Sequence, residues 1–151
     1  MIEKLKNKNP EIAIKIRSVF QASYAIEAKL LNAIDFPPLK RPLESYIESS
    51  NDFIGYIKNE ELAAVIEIDQ NNKHTHIQSL VVHPNFFRQG IARKLMEFVF
   101  NIYNSKIFMV ETGVENDPAS LLYKKLGFKE VKQWDTIYGI RKIRFERRAN
   151  E

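Results

Sequence analysis

Arg88-Gln89-Gly90-Ile91-Ala92-Arg93 is the stretch whose residue types and spacing speak most directly to chemistry. Gly90 and Ala92 are small enough for a ligand to approach the main chain closely, and an amphipathic run (Ile91, Leu95, Phe98, Val99, Ile102) begins there. The first turn of such a helix leaves N–H groups without intrahelical partners, and these together with the helix dipole favour an anion. Arg88 and Arg93 add positive charge at the same place. The pattern points to a phosphate-bearing ligand held by backbone amides, and so to group transfer carried by a cofactor. A second pair comes from the turn at Asn71-Asn72. A hairpin centred there sets Asp69 opposite His74, Glu67 opposite His76 and Val65 opposite Gln78, which makes Glu67 and His76 cross-strand neighbours on one face. A carboxylate beside an imidazole favours its charged form. Such a pair either acts in proton transfer or is a surface ion pair of little energetic weight.

These residues need elements to position them. Met1 to Lys6 reads as a short strand. Asn9-Pro10 is an N-cap followed by a first helical residue, and the apolar spacing from Ile12 to Ile34 sets a helix from about Pro10 to Asn32. Phe36-Pro37-Pro38 breaks it, and a shorter helix covers Pro42 to Ser49. Phe53 to Lys58 and Leu62 to Asp69 are strands joined by a tight turn at Asn59-Glu60. Thr75 to His83 is the next strand, Arg88 to Tyr103 a helix, and Lys106 to Thr112 a strand too apolar for an edge. The helix between those two strands suggests a right-handed parallel crossover. Asp117-Pro118 opens a helix that stops at Gly127, and strands at Lys129 to Trp134 and Thr136 to Phe145 close the chain. The order is β-α-α-β-β-β-α-β-α-β-β: an α/β fold with a mixed sheet, read as a single domain over residues 1–151.

Composition narrows the classes. With 44% hydrophobic residues the chain is not a disordered one, and with no cysteine it has neither a disulfide framework nor thiol chemistry. The three histidines are not spaced as metal ligands. No stretch reads as a membrane span or a secretory signal, which leads to the expectation of a cytoplasmic protein. The net charge of +4 suits an anionic ligand, while the basic residues are interleaved with acids and form no nucleic-acid recognition motif.

Two motifs at suitable separation carry a family resemblance. Leu80-Val81-Val82-His83-Pro84, followed by Arg88-Gln89-Gly90-Ile91-Ala92-Arg93 and its helix, resembles the pyrophosphate-binding loop of the GNAT superfamily of acyl-CoA-dependent N-acetyltransferases. Asn116-Asp117-Pro118-Ala119, continuing to Leu122-Tyr123-Lys124-Lys125-Leu126-Gly127-Phe128, resembles that family's second cofactor-contacting segment. The resemblance covers most of the chain from Phe53 onward. It implies a mostly antiparallel sheet with a central, splayed parallel strand pair, and acetyl-CoA as co-substrate. The backbone of Leu80 would face the acetyl carbonyl and that of Val82 the pantetheine arm, with Val81 between them. Arg88, Gln89, Gly90, Ile91, Ala92 and Arg93 would hold the pyrophosphate through main-chain N–H groups. A bulge near Val81 or Val82 would free the strand amides. Tyr123 matches the family's general acid, or is a packed helix tyrosine. Asn116 bonds the pantetheine or shapes the helix entry. His76 lies about where the family often carries a carboxylate base. Phe87 stands where the loop pattern has Gln or Arg. Tyr24, Glu27, Phe36 and Trp134 are candidate walls of the acceptor site, Glu27 being the sharper one for a cationic acceptor. The implied reaction is direct attack, in a ternary complex, of a primary amine of a small molecule or peptide on acetyl-CoA. The alternative is a non-catalytic acyl-CoA-binding regulatory module. The expected state is a monomer or homodimer, with no nucleic-acid or membrane partner.

Overall fold

The computed structural model describes residues 1–71 and 73–149. Its elements are β1 (Ile2–Lys4), α1 (Pro10–Leu30), α2 (Leu43–Glu48), β2 (Asp52–Lys58), β3 (Glu61–Gln70), β4 (His74–Val82), α3 (Ile91–Ile102), β5 (Ile107–Gly113), α4 (Asp117–Lys125), β6 (Lys129–Asp135) and β7 (Arg141–Arg148). The order is the one the sequence implies. Short 3-10 turns at Pro37–Lys40 and Pro84–Phe86 are added. The strands form one seven-stranded sheet in the order β1-β2-β3-β4-β5-β7-β6. Its pairs are antiparallel apart from β4–β5, which run parallel. No helix of the described residues is long and apolar enough to cross a membrane.

Strand alternation divides the core into two layers. Phe53, Val65 and Val81 point to one face and are covered by Ala13, Ile16, Val19 and Phe20 of α1 and Tyr46 of α2. Ile54, Ile66, Ile68, Ile77, Val110 and Phe145 point to the other. There they meet Ile91, Leu95, Met96 and Val99 of α3 and Tyr123 of α4. Each such buried aliphatic or aromatic side chain contributes about 2 kcal/mol relative to exposure. β3 is covered on both faces, and Ala63 to Ile68 are all buried.

The hairpin between β3 and β4 departs from the expected register. Asn71 closes the turn: its N–H donates to the His74 carbonyl, and its side-chain oxygen accepts from the N–H groups of Lys73 and His74. The turn therefore spans Asn71 to His74 rather than centring on Asn71-Asn72 (Asn72 itself lies outside the described residues). Asp69 then faces His76, and Ile68 faces Ile77. Gln78 is an extra residue on β4, so that beyond it Glu67 faces Ser79 and Val65 faces Val81. The expected Glu67–His76 and Asp69–His74 pairings are thus replaced, and the bulge lies at Gln78 rather than at Val81 or Val82. At the far end of the chain, the last strand starts at Arg141, not Thr136. Thr136 instead closes a turn, its hydroxyl donating to the Ile140 carbonyl at 2.8 Å.

Candidate active site

The parallel seam between β4 and β5 is short. It runs from His74 opposite Ile107 to Ile77 opposite Val110, and there the pairing ends. β4 continues along β3 to Val82 while β5 continues along β7 to Gly113, so a gap opens in the middle of the sheet. On β4 the His83 N–H donates to the Ala63 carbonyl at 2.8 Å. By strand alternation the main-chain groups of Leu80 and Val82 point the opposite way, into the gap.

Two clefts meet at this gap. One, of about 430 Å³, is lined by Leu80, Val82, the loop from Phe86 to Gly90, the first turn of α3 and Pro118, Ala119 and Leu122 of α4. The other, of about 420 Å³, is lined by Tyr24, Phe36, Arg41, Ser79, Glu111, Tyr138 and Lys142. Glu27, Leu80, Asn116, Ala119 and Tyr123 line both.

The first cleft is built for close approach to backbone. Gly90 is the N-cap of α3 at φ 72, and no side chain caps the helix. A Cβ on Gly90 would meet nothing within 4 Å, so space opens directly over the helix entry. Arg88 also has positive φ, 63°. The Gln89 side chain is held by Lys58, and Arg93 turns to Glu97 of its own helix. Of the loop's side chains Gln89 and Arg93 are thus engaged elsewhere, while Arg88 lines the cleft beside the helix entry. Phe87 is 41% exposed and lines the same cleft.

At the junction, Asn116 caps α4, its side-chain oxygen accepting from the Ala119 N–H. Its amide donates to Glu27 Oε1 and to Thr112 Oγ1, each at 3.3 Å. Tyr123 is 5% exposed and packs on Phe128 and Phe145. Burial, with the nearby Glu27 carboxylate, raises its pKa and keeps the phenol protonated. Burial likewise raises the Glu27 carboxyl, against the opposing pull of Lys142 and the Asn116 amide.

The second cleft is framed by an ion pair. Glu67, 1% exposed, receives Arg41 NH1 and NH2 at 2.7 and 3.1 Å and Asn51 Nδ2 at 2.9 Å. Arg41 lies over the Tyr46 ring, 4.1 Å from its centre, and its Nε donates to Ser45. Beside it the Tyr24 hydroxyl donates to Ser79 Oγ at 2.9 Å. Leu31 closes one end of the cleft against Gly113, where any Cβ would come within 2.4 Å of a Leu31 methyl.

The structure thus gathers Leu80, Val82, Arg88 to Arg93, Asn116 and Tyr123 along one groove, with Val81 buried behind it under α1. Tyr24, Glu27 and Phe36 line the neighbouring cleft. Glu67 and His76 do not form a pair: both Glu67 oxygens are engaged by Arg41 and Asn51, and His76 lines neither cleft. Burial lowers the pKa of His76, so the imidazole is held neutral rather than charged. Trp134 also lies outside both clefts, beneath Lys132 on β6. Sequence reasoning missed Arg41, Ser79, Glu111 and Lys142. Arg41 precedes Pro42 in an irregular stretch with no periodicity, and only the tertiary fold brings it to Glu67. Among the described residues no group of three or more His, Asp or Glu side chains is gathered as metal ligands would be.

Comparison with known proteins places this architecture. Residues 19–128 match the family described as Acetyltransferase (GNAT) family. Over 142 residues the chain is 34% identical to the UPF0157 protein YqkA of Bacillus subtilis (strain 168), a match covering 93% of this chain and 41% of that protein. The chain spans about two fifths of the length of the curated relatives it matches. The ribosomal-protein-S18-alanine N-acetyltransferase from Escherichia coli is similar in fold, with a TM-score of 0.78 at 18% identity over 100% of this chain and 94% of that one. The PaiA N-acetyltransferase from Thermoplasma acidophilum, solved in complex with coenzyme A, gives a TM-score of 0.73 at 16% identity over 98% and 99% of the two chains.

Proposed function

We propose, from the premise that this chain belongs to the GNAT family of acetyltransferases, that it transfers an acetyl group from acetyl-CoA to a primary amine of a small molecule or peptide, by direct attack in a ternary complex. The observation that carries this reading is the meeting of two clefts at Leu80, Asn116 and Tyr123, in the gap between β4 and β5. One cleft suits the cofactor and the other the amine, so the reacting atoms meet without a covalent enzyme intermediate.

The residues fit acetyl-CoA as co-substrate. The open space over Gly90 admits a diphosphate to the uncapped N–H groups of α3. Arg88, Gln89, Gly90, Ile91, Ala92 and Arg93 hold it, mainly through the main chain. Leu80 and Val82 offer their free main-chain groups to the acyl and pantetheine portions, and Asn116 stands at the same junction. Acetyl-CoA supplies the activated acyl carbon and a thiolate leaving group. Tyr123, kept protonated by burial, gives its proton to the departing sulfur. The wider features of the protein belong to the same reading: one acetyltransferase domain over residues 1–151, cytoplasmic, as a monomer or homodimer.

Titration calorimetry with acetyl-CoA, followed by thiol release in the presence of peptides, polyamines and aminoglycosides, tests this. Binding with turnover of at least one amine is the expected result. Absence of acetyl-CoA binding overturns the reading, and tight binding without turnover of any amine turns it into a sensor of the cofactor.

A further inference from the structure

We propose that Glu27 is the group that receives the acceptor's ammonium and takes its proton. The inference rests on the functional reading above and deepens it.

Three observations converge. Glu27 projects from the last turns of α1 and lines both clefts, so it stands where the amine must pass to reach the acyl carbon. It makes no salt bridge among the described residues, whereas Glu111, the other carboxylate lining the second cleft, is occupied by Arg144. Its one side-chain hydrogen bond, from Asn116 at 3.3 Å to Oε1, engages a single oxygen. A carboxylate left with an open oxygen in a partly desolvated junction is an ammonium site.

The charged and titratable groups facing Glu27 fix its chemistry. Tyr24 on α1 and Tyr123 on α4 are both held protonated by burial. Lys142 on β7 and the Asn116 amide favour the carboxylate form, and desolvation outweighs them. The result is a base that binds a proton more readily than an exposed glutamate does, suited to an amine that arrives charged at neutral pH. The step balances. One ammonium N–H bond breaks and its proton passes to a Glu27 oxygen. The freed lone pair forms the C–N bond as the C–S bond breaks. The Tyr123 proton goes to sulfur, and the second proton shed by nitrogen restores the phenol. Glu27 then releases its proton to water.

The test compares ethylamine, which is charged at neutral pH, with 2,2,2-trifluoroethylamine, a weakly basic amine of similar size that is not. Glu27→Gln is expected to lower kcat/KM for ethylamine about 100-fold at neutral pH and to change it less than about threefold for trifluoroethylamine. The ethylamine deficit should close as the pH is raised towards about 10, where solvent removes the proton instead. A second readout needs no turnover: calorimetric binding of ethylammonium in the presence of coenzyme A weakens in Glu27→Gln. Acetyl-CoA affinity, measured alongside, stays close to that of the parent and certifies the fold. If Glu27→Gln loses it, Glu27→Ala, which also removes the carboxylate, carries the same comparisons. Equal loss for the two amines, loss for neither, or an acetyl-CoA-binding parent protein that accepts neither amine overturns the proposal. Absence of acetyl-CoA binding by the parent defeats the functional reading itself.

Discussion

Tyr123 combines a packing role with the acid role proposed for it. Its ring is locked between Phe128 and Phe145 while the residue borders both clefts. Removing only the hydroxyl leaves the packing in place, so Tyr123→Phe should keep acetyl-CoA affinity while lowering kcat about 100-fold, as loss of a positioned general acid does. Steady-state kinetics with calorimetry separate the two, and a parallel loss of affinity would assign the residue to packing. Tyr123 was singled out in the sequence by the resemblance of the segment from Asn116 to Phe128 to the family's second cofactor-contacting segment, while Asn116-Asp117-Pro118 and Gly127 marked only where α4 starts and ends. Glu67 was read as one half of a pair with His76, and its partners are Arg41 and Asn51 instead. Its charge and strand position are local facts, but its cross-strand neighbour depends on a two-residue change in hairpin register and on one bulge. Neither leaves a periodic trace: an Asn side chain closing a turn at Asn71 looks in sequence like any polar turn.

Among the elements, the irregular stretch between α1 and α2 depends most on tertiary contact. It has two prolines in a 3-10 turn and little periodic structure, yet it walls the second cleft. Arg41 pins it to the sheet by bridging Glu67 on β3 and stacking over Tyr46 of α2. Arg41→Ala removes the counter-charge of a carboxylate that is 1% exposed, which should cost about 3 kcal/mol of stability. Urea unfolding measures that loss. In the folded fraction the acceptor KM should rise while acetyl-CoA affinity holds, because the loop before α3, to which the diphosphate is assigned in the proposal, lines the other cleft. The elements themselves were readable: Asn9-Pro10 caps α1 as expected, and Asn59 and Glu60 take positive φ in the tight turn between β2 and β3. What the chain did not disclose was how its least regular segment is anchored, since an arginine before a proline carries no signature of a buried partner.

Over the whole molecule, the sheet is two antiparallel halves joined by four residues of parallel pairing. A ligand that enters the gap and touches Leu80, Asn116 and the α3 entry spans both halves, and whatever binds only the folded state stabilises it. Acetyl-CoA at about 100 times its dissociation constant should add about 2.7 kcal/mol, raising Tm by roughly 5–10 °C for a chain of this length. Thermal scanning against ligand concentration checks this, and a Tm that stays flat at saturation would contradict it. The overall order of elements was legible because strands and helices differ in period. The gap was expected only through the family resemblance, with its splayed central strand pair, because a place where two strands stop pairing leaves no periodic mark. The sheet's outer margins have a different consequence. One is β1, only three residues long. The other is β6, which sets Lys129, Lys132 and Asp135 along an exposed rim. A foreign strand arriving there would have to strip water from those charges for a few ladder bonds. The fold thus ends its own hydrogen-bonded ribbon on both sides, and copies of the chain are kept from stacking edge to edge into fibres.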